Sequence, residues 1–224
     1  MLRIVALVGS VLVLVEAVLL LLMLRQAVTY PKYWAARAAE PVRPNDLRVV
    51  AVGDSAAVGI GAWRPQESLV GRIVNHLRVR TGRPVHVTNL AVGGATVGSV
   101  LARQRAAELA TADVVIVVAG SADAGSKVAP AKFRADLRKL AELVPAERTI
   151  LSDVPLQRGR EPYQRILADV ADSRRIAHAD FATAFRTARR IDVFAPDFTH
   201  VNSTGYRIWF EAFRPHLDAI VDRS

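Results

Sequence analysis

Short runs rich in β-branched residues alternate with amphipathic helical patterns over most of this chain, and this alternation restricts the possible folds severely. The runs that predict strands are Leu47–Val52, Val85–Leu90, Val114–Ala119, Thr149–Leu151 and Ile176–Ala179. The third run is apolar throughout, as is typical of a central strand that is covered on both faces of a parallel sheet. The helical patterns are Leu69–Arg80, Val97–Ala110, Ala131–Leu143, Tyr163–Ala171 and Ser203–Val221. We therefore predict a doubly wound α/β sandwich with a central parallel sheet of about five strands.

The composition excludes several classes of protein. Hydrophobic residues make up 51% of the 224 residues and charged residues 23%, so the chain can bury a core and is not globally disordered. The absence of cysteine excludes a disulfide scaffold, a cysteine nucleophile and thiolate metal sites. The net charge of +9 favours anionic surroundings. Because only 6% of residues are aromatic and the arginines are scattered, we expect no nucleic-acid partner.

An almost wholly aliphatic run from Ile4 to Leu24 precedes the first predicted strand. It reaches the length of about 20 residues that a membrane-spanning helix needs, whereas the core of a signal peptide has about 7–15. Tyrosine and tryptophan, which are common at the bilayer interface, follow it. The Ala-x-Ala pattern at residues 36–38, which would fit a cleavage site, lies far from the apolar run. We predict a transmembrane anchor (or uncleaved signal) over residues 1–25, a juxtamembrane linker over 26–46 and one domain over 47–224, with a cleaved signal as the alternative.

A serine follows the first predicted strand, at the sheet edge where ligands bind in doubly wound folds. The segment Gly53–Gly59 surrounds Ser55 with small residues that leave room for a substrate. Two interpretations stay open from this stretch alone: Ser55 is a nucleophile, or Asp54 and Ser55 are a helix cap. The glycine spacing is not that of a nucleotide-binding loop.

Small residues also follow the second and third predicted strands. The second strand leads into Gly93 and Gly94, and paired glycines let backbone N–H groups face a ligand. A tight turn with Thr96 as a helix cap is the alternative. The third strand ends in the segment Gly120–Asp123.

Near the C-terminus, Asp197 lies three residues before His200. On a loop, this spacing can place a carboxylate against the imidazole, orient it and stabilise its protonated form, which makes the histidine a usable general base. Together with the serine after the first strand, the pair indicates nucleophilic catalysis. We expect neither a metal nor a cofactor, because the sequence has no H-E-x-x-H or paired-carboxylate motif and no nucleotide fingerprint.

These segments resemble the sequence blocks of the SGNH, or GDSL, hydrolase family. Gly-Asp-Ser at residues 53–55 matches the first block, whose serine is the nucleophile. Residues 89–96 resemble the second block, and Gly94 falls at the oxyanion glycine. Asp197 and His200 match the final Asp-x-x-His block.

The resemblance covers about Leu47 to the C-terminus and has specific implications. It implies a flavodoxin-like three-layer sandwich and ester hydrolysis through an acyl-enzyme. Ser55 would attack, His200 would accept its proton, and Asp197 would hold the histidine. The backbone N–H groups of Ser55 and Gly94 would form the oxyanion hole.

The third block departs from the family pattern. The family has Gly-x-Asn-Asp, whose asparagine donates to the oxyanion, whereas this chain has Ala122 at that position. Loss of one such donor costs about 10²–10³ in turnover. Ser121 or a water molecule could replace it. We therefore expect a slow hydrolase, with a degenerate, ligand-binding domain as an alternative.

The expected substrates are acyl esters of lipids or O-acylated carbohydrate, since a basic domain beside a bilayer is drawn to anionic surfaces. An acyltransferase to an envelope sugar is a further alternative.

Arg25, Lys32 and Arg37 follow the apolar run and favour a cytoplasmic domain. Large domains cross membranes largely regardless of such charges, and the family resemblance favours the envelope, so we expect a membrane-anchored, extracytoplasmic domain.

Overall fold

The computed structural model describes residues 2–103, 106–155, 160–186 and 189–223. Its sheet contains β1 (Leu47–Gly53), β2 (Val85–Asn89), β3 (Val114–Val118), β4 (Thr149–Ser152) and β5 (Ala177–Ala179). All neighbouring strands are parallel, in the order β2-β1-β3-β4-β5. This is the flavodoxin-like order, in which the direction of winding reverses between β1 and β3. The predicted five-stranded α/β sandwich is confirmed.

The helices of the described residues are α1 (Leu2–Ala38), α2 (Ser55–Val58), α3 (Leu69–Thr81), α4 (Val97–Ala102), α5 (Ala106–Thr111), α6 (Ser121–Gly125), α7 (Pro130–Leu143), α8 (Glu161–Arg174), α9 (Phe181–Phe185), α10 (Arg190–Val193) and α11 (Ser203–Val221). The helix predicted over residues 97–110 corresponds to α4 and α5, and residues 104–105 between them lie outside the described residues. The short helices α2, α6, α9 and α10 were not predicted, because four or five residues show no helical periodicity.

The two faces of the sheet bury two separate layers of helices. Val49 and Ala51 of β1 pack in a core that also contains residues of α3, α9 and α11. Val50 and Val52, which point the other way, pack with residues of α4, α7 and α8. Every residue of β3 is buried, which explains why its sequence is apolar rather than alternating.

The N-terminal helix α1 continues past the predicted boundary at residue 25. Its stretch Gly9–Ala38 is long and apolar enough to cross a membrane by length and composition, a test that a signal sequence also passes. Residues 26–38, predicted as linker, are helical, and Tyr30 and Trp34 are buried against the domain. The helix runs through Pro31 and ends at Ala38, shortly before Pro41.

Side-chain hydrogen bonds of Gln26, Tyr30 and Trp34 attach the C-terminal part of α1 to one loop of the domain. The Tyr30 hydroxyl donates to the Ala62 carbonyl at 2.6 Å, and Trp34 Nε1 donates to the Val58 carbonyl at 2.9 Å. The loop between these two acceptors directly follows α2, the helix that begins at Ser55. The helix therefore contacts the domain next to the residues predicted to be functional.

Candidate active site

Ser55 lies at the carboxyl end of β1 as the first residue of α2. Asp54 is the helix cap, because its Oδ1 accepts the backbone N–H of Ala56 at 3.0 Å. The Ser55 hydroxyl is therefore not used for capping. Gly53 has a φ of 148°, and a Cβ there would stand 1.8 Å from the Val118 carbonyl oxygen. Only glycine allows β1 to turn this closely against β3 and present the serine.

The structure brings Ser55, His200 and Asp197 into one hydrogen-bonded chain. His200 Nε2 lies 3.0 Å from Ser55 Oγ, across a sequence separation of 145 residues. On the other side of the ring, His200 Nδ1 lies 2.6 Å from Asp197 Oδ2. A carboxylate at Nδ1 favours the tautomer that carries its proton there, which leaves Nε2 free to accept the serine proton.

Asp197 is held in its ionised form by several donors. Its Oδ1 accepts the backbone N–H groups of Thr199 and His200, both at 3.0 Å. Burial alone would raise the pKa of Asp197, but the hydrogen bonds from His200 and Thr199 outweigh it and lower the pKa below the usual value. Phe198 has a φ of 51°, in the left-handed region, and this turn lets the carboxylate reach its own loop.

The His200 loop is anchored at both of its ends. Phe194 and Val201 form an antiparallel bridge, and the Ala195 N–H donates to the His200 carbonyl at 2.8 Å. Asn202 then caps α11, accepting two backbone N–H groups at 2.9 and 3.0 Å. The first turns of this long helix, whose apolar face is buried, therefore set the position of the histidine.

A cavity of about 240 Å³ opens beside Ser55 and His200. Gly94 lines it with a φ of 73°, and no heavy atom lies within 4 Å of the place where a Cβ would stand. The loop that carries Gly94 is attached to α2 through Asn89, whose Nδ2 donates to the Ala57 carbonyl at 2.8 Å. The predicted oxyanion glycine thus borders the same cavity as the serine and histidine, and Thr96 caps α4.

Ala122 also lines this cavity, as the second residue of α6. Its backbone N–H donates to Asp54 Oδ2 at 3.3 Å, while its methyl group offers the cavity no donor. Burial raises the pKa of Asp54, although the two backbone N–H groups, His200 and Arg160 act against that rise. The position at which the resemblance implies an asparagine donor therefore lies at the cavity wall.

Two aspartates that follow strands, Asp123 and Asp153, stabilise helix starts and do not line the cavity. Asp123 accepts the Val97 N–H at 2.9 Å, and Asp153 accepts the N–H groups of Phe181 and Ala182 at 2.8 and 2.9 Å. Both carboxylates thus hold the starts of neighbouring helices.

One residue in the cavity wall was missed by sequence reasoning. Arg160 lies directly before α8 and lines the cavity, yet an arginine at a helix start is ordinarily exposed. No local pattern marks its burial, because the groups around it belong to other parts of the chain.

Comparisons with known proteins agree with this fold. The GDSL-like lipase/acylhydrolase family matches residues 51–208. No curated protein matches the chain. Similar solved structures include the psychrotrophic esterase EstA from Pseudoalteromonas sp., with 14% identity and a TM-score of 0.63 over 79% of this chain and 100% of that one. Another is the lipase/acylhydrolase from Enterococcus faecalis, with 21% identity and a TM-score of 0.62 over 76% and 95%.

A catalytic mutant of Axe2, an acetylxylan esterase from Geobacillus stearothermophilus, is also similar, with 20% identity and a TM-score of 0.59 over 76% of this chain and 93% of that one. At such identities the solved structures establish the shared fold, whereas the family match extends over most of the domain. Since this match covers more than half of the chain, the chain belongs to the GDSL-like lipase/acylhydrolase family.

Proposed function

We propose that this protein is a membrane-anchored serine esterase that hydrolyses acyl esters through an acyl-enzyme. The observation that carries the proposal is the hydrogen-bonded chain from Ser55 Oγ through His200 to Asp197, with separations of 3.0 and 2.6 Å. A nucleophile within hydrogen-bond distance of a base, itself oriented by a carboxylate, is the arrangement that activates a hydroxyl for acyl transfer.

In the first half of the reaction, Ser55 Oγ attacks the ester carbonyl carbon and its proton passes to His200 Nε2. Asp197 stabilises the resulting imidazolium through Nδ1. The tetrahedral intermediate then collapses, the carbon–oxygen bond to the alcohol breaks, and the alcohol leaves with the proton from Nε2. The acyl group is now an ester of Ser55.

In the second half, water takes the place of the alcohol. His200 Nε2 removes a proton from the water as it attacks the acyl carbonyl, and then returns a proton to Ser55 Oγ as the acid leaves. The products are a carboxylic acid and an alcohol, and the enzyme returns to its starting state.

The developing oxyanion needs donors in both halves. Ser55 begins α2, so its backbone N–H has no acceptor within the helix and is available to a ligand. Gly94 borders the same cavity, on a stretch of backbone with open space beside it. We assign the N–H groups of these two residues to the oxyanion hole, a pair that supports slower turnover than the three donors of the family pattern.

A donor restored at position 122 should speed the reaction. We expect Ala122→Asn to raise kcat for a short p-nitrophenyl ester about tenfold, less than the full value of a preorganised donor because the new side chain is not held in place. KM should change less, since the interaction forms mainly in the transition state. Ala122→Asp introduces a side chain of the same size as asparagine, but its carboxylate would repel the developing oxyanion, so it should lower kcat. An unchanged kcat in a folded Ala122→Asn protein would mean that another group, with Ser121 the first to test, already supplies the donor.

Membrane attachment is supported by the packing of α1. Removal of the chain up to the Ala-x-Ala pattern at residues 36–38 would delete Tyr30 and Trp34, which are 6% and 3% exposed against the domain. A helix whose final turns complete a buried surface is better retained than cleaved. This argument favours an uncleaved anchor over a removable signal.

We place the catalytic domain outside the cytoplasm, where lipid esters and O-acylated envelope carbohydrate occur. Protease added to intact cells or spheroplasts should digest the domain, because it would be exposed on that side of the membrane. Complete protection until the cells are lysed, with a periplasmic marker digested as a control, would instead place the domain in the cytoplasm.

The function itself is tested by covalent labelling and product analysis. A fluorophosphonate should label the full-length protein at Ser55, and an ester panel of increasing acyl length should show release of free acid. Transfer of the acyl group to an added sugar would indicate an acyltransferase instead. A folded protein that is neither labelled nor active on any ester would show that the domain only binds its ligand.

A further inference from the structure

A buried arginine side chain forms part of the catalytic cavity wall. Arg160 is only 8% exposed and borders the same 240 Å³ space as Ser55 and His200. A guanidinium has five N–H donors, all of which need acceptors when they are removed from water. Among the described residues, the side chain of Arg160 makes one hydrogen bond, from Nη1 to Ser121 Oγ at 3.3 Å.

The charge of Arg160 lacks a carboxylate at contact distance. Among the described residues, no acidic oxygen lies within 4.0 Å of the guanidinium and no aspartate or glutamate lines the cavity. Asp54 attracts the guanidinium from farther away, but its own oxygens already accept the N–H groups of Ala56 and Ala122. Among the described residues that line the cavity, Arg160 thus contributes a cation that no carboxylate accompanies.

A buried cation without a close partner is unfavourable, and an anion that enters the cavity would relieve this cost. The planar guanidinium matches a carboxylate or phosphate group particularly well, since two parallel N–H groups can bind two oxygens. A neutral ester would fill the same space and leave most of these donors without acceptors.

We propose that Arg160 makes this site selective for esters that carry a carboxylate or phosphate group a few bonds from the scissile carbonyl. The inference rests on the proposed esterase function and narrows its substrate class. The anionic group lies on the acyl side in an ester of a dicarboxylic acid and on the alcohol side in an acylated glycerol phosphate. In both cases the guanidinium would bind negatively charged oxygen atoms of the substrate.

The test uses full-length protein in detergent and two matched pairs of esters. p-Nitrophenyl hemisuccinate against p-nitrophenyl butyrate probes a charge on the acyl side. 1-Butyryl-glycerol 3-phosphate against monobutyrin probes a charge on the alcohol side. In at least one pair, the wild-type protein should have a higher kcat/KM for the charged member, and the pair that responds identifies the side that faces Arg160.

Substitutions then connect this preference to one side chain. Arg160→Met should lower the charged-to-neutral ratio of kcat/KM about 30-fold, which corresponds to about 2 kcal/mol for hydrogen bonds to a charged group. Arg160→Lys keeps the charge but cannot bind two oxygens with a planar group, so it should lose part of the preference. It also provides the test if Arg160→Met does not fold. Arg165→Met removes an exposed arginine from α8 and should leave the ratio unchanged.

The inference and the proposed function fail in different ways. Hydrolysis without charge preference in either pair, or with a ratio that Arg160→Met and Arg160→Lys do not alter, overturns the role of Arg160 and leaves the esterase in place. If no ester is hydrolysed, calorimetric titration with monomethyl succinate and glycerol 3-phosphate still decides. Binding of either anion that is lost in Arg160→Met supports the inference, and absence of binding to the wild-type protein overturns it.

Discussion

Replacement of Ser55 by alanine is expected to lower kcat for a short p-nitrophenyl ester by roughly 10⁴–10⁶-fold while the protein stays folded. The substitution removes one hydroxyl group and its 3.0 Å contact with His200 Nε2. Without the nucleophile, no acyl-enzyme can form, and the remaining groups can only polarise the ester for attack by water. Because the three side chains act as one unit, His200→Ala should cost about as much, and the double variant little more.

The measurement is steady-state hydrolysis, with thermal unfolding by circular dichroism to verify the fold. Ser173→Ala removes an exposed serine from α8 and is the matched control, for which unchanged turnover is expected. Asp197→Asn should also be strongly impaired, because it disturbs the tautomer of His200. Wild-type turnover in a folded Ser55→Ala protein would remove Ser55 from the mechanism.

Trp34→Ala in full-length protein should lower the free energy of unfolding by about 3–5 kcal/mol, the usual cost of deleting a large buried aromatic side chain. Trp34 is 3% exposed, packs edge-to-face on Tyr33 with ring centroids 4.9 Å apart, and donates to the Val58 carbonyl. For a domain of this size the loss corresponds to a decrease in Tm of about 6–20 °C.

The same substitution should also reduce activity, since the loop that Trp34 contacts is attached to Ser55. The Ile60 N–H in this loop donates to the Ser55 carbonyl at 3.0 Å. Val28→Ala provides a control on the same helix, because Val28 is 56% exposed and its truncation should change Tm by no more than about 2 °C. If Trp34→Ala unfolds at the wild-type temperature, the end of α1 does not stabilise the domain.

The sequence alone determined the layout of the sheet and the identity of the three catalytic candidates. The central strands were predictable because strands buried on both faces need continuous apolar residues, as in β3, where all five residues are buried. Ser55 could be located at the functional edge, because in doubly wound sheets this edge is set by the strand direction. Asp197 and His200 are close in sequence, so a local spacing could reveal their pairing.

Only the tertiary structure decided which distant groups meet in the cavity. The 3.0 Å contact between Ser55 and His200 joins residues 145 positions apart, and it depends on how α11 packs across the sheet. The burial of Arg160 and the docking of Trp34 likewise arise from surfaces contributed by several elements. Hydrophobic periodicity shows that one face of a helix or strand is buried, but it does not show which other element packs on that face. Arg160 and Trp34 could therefore not be placed from the sequence.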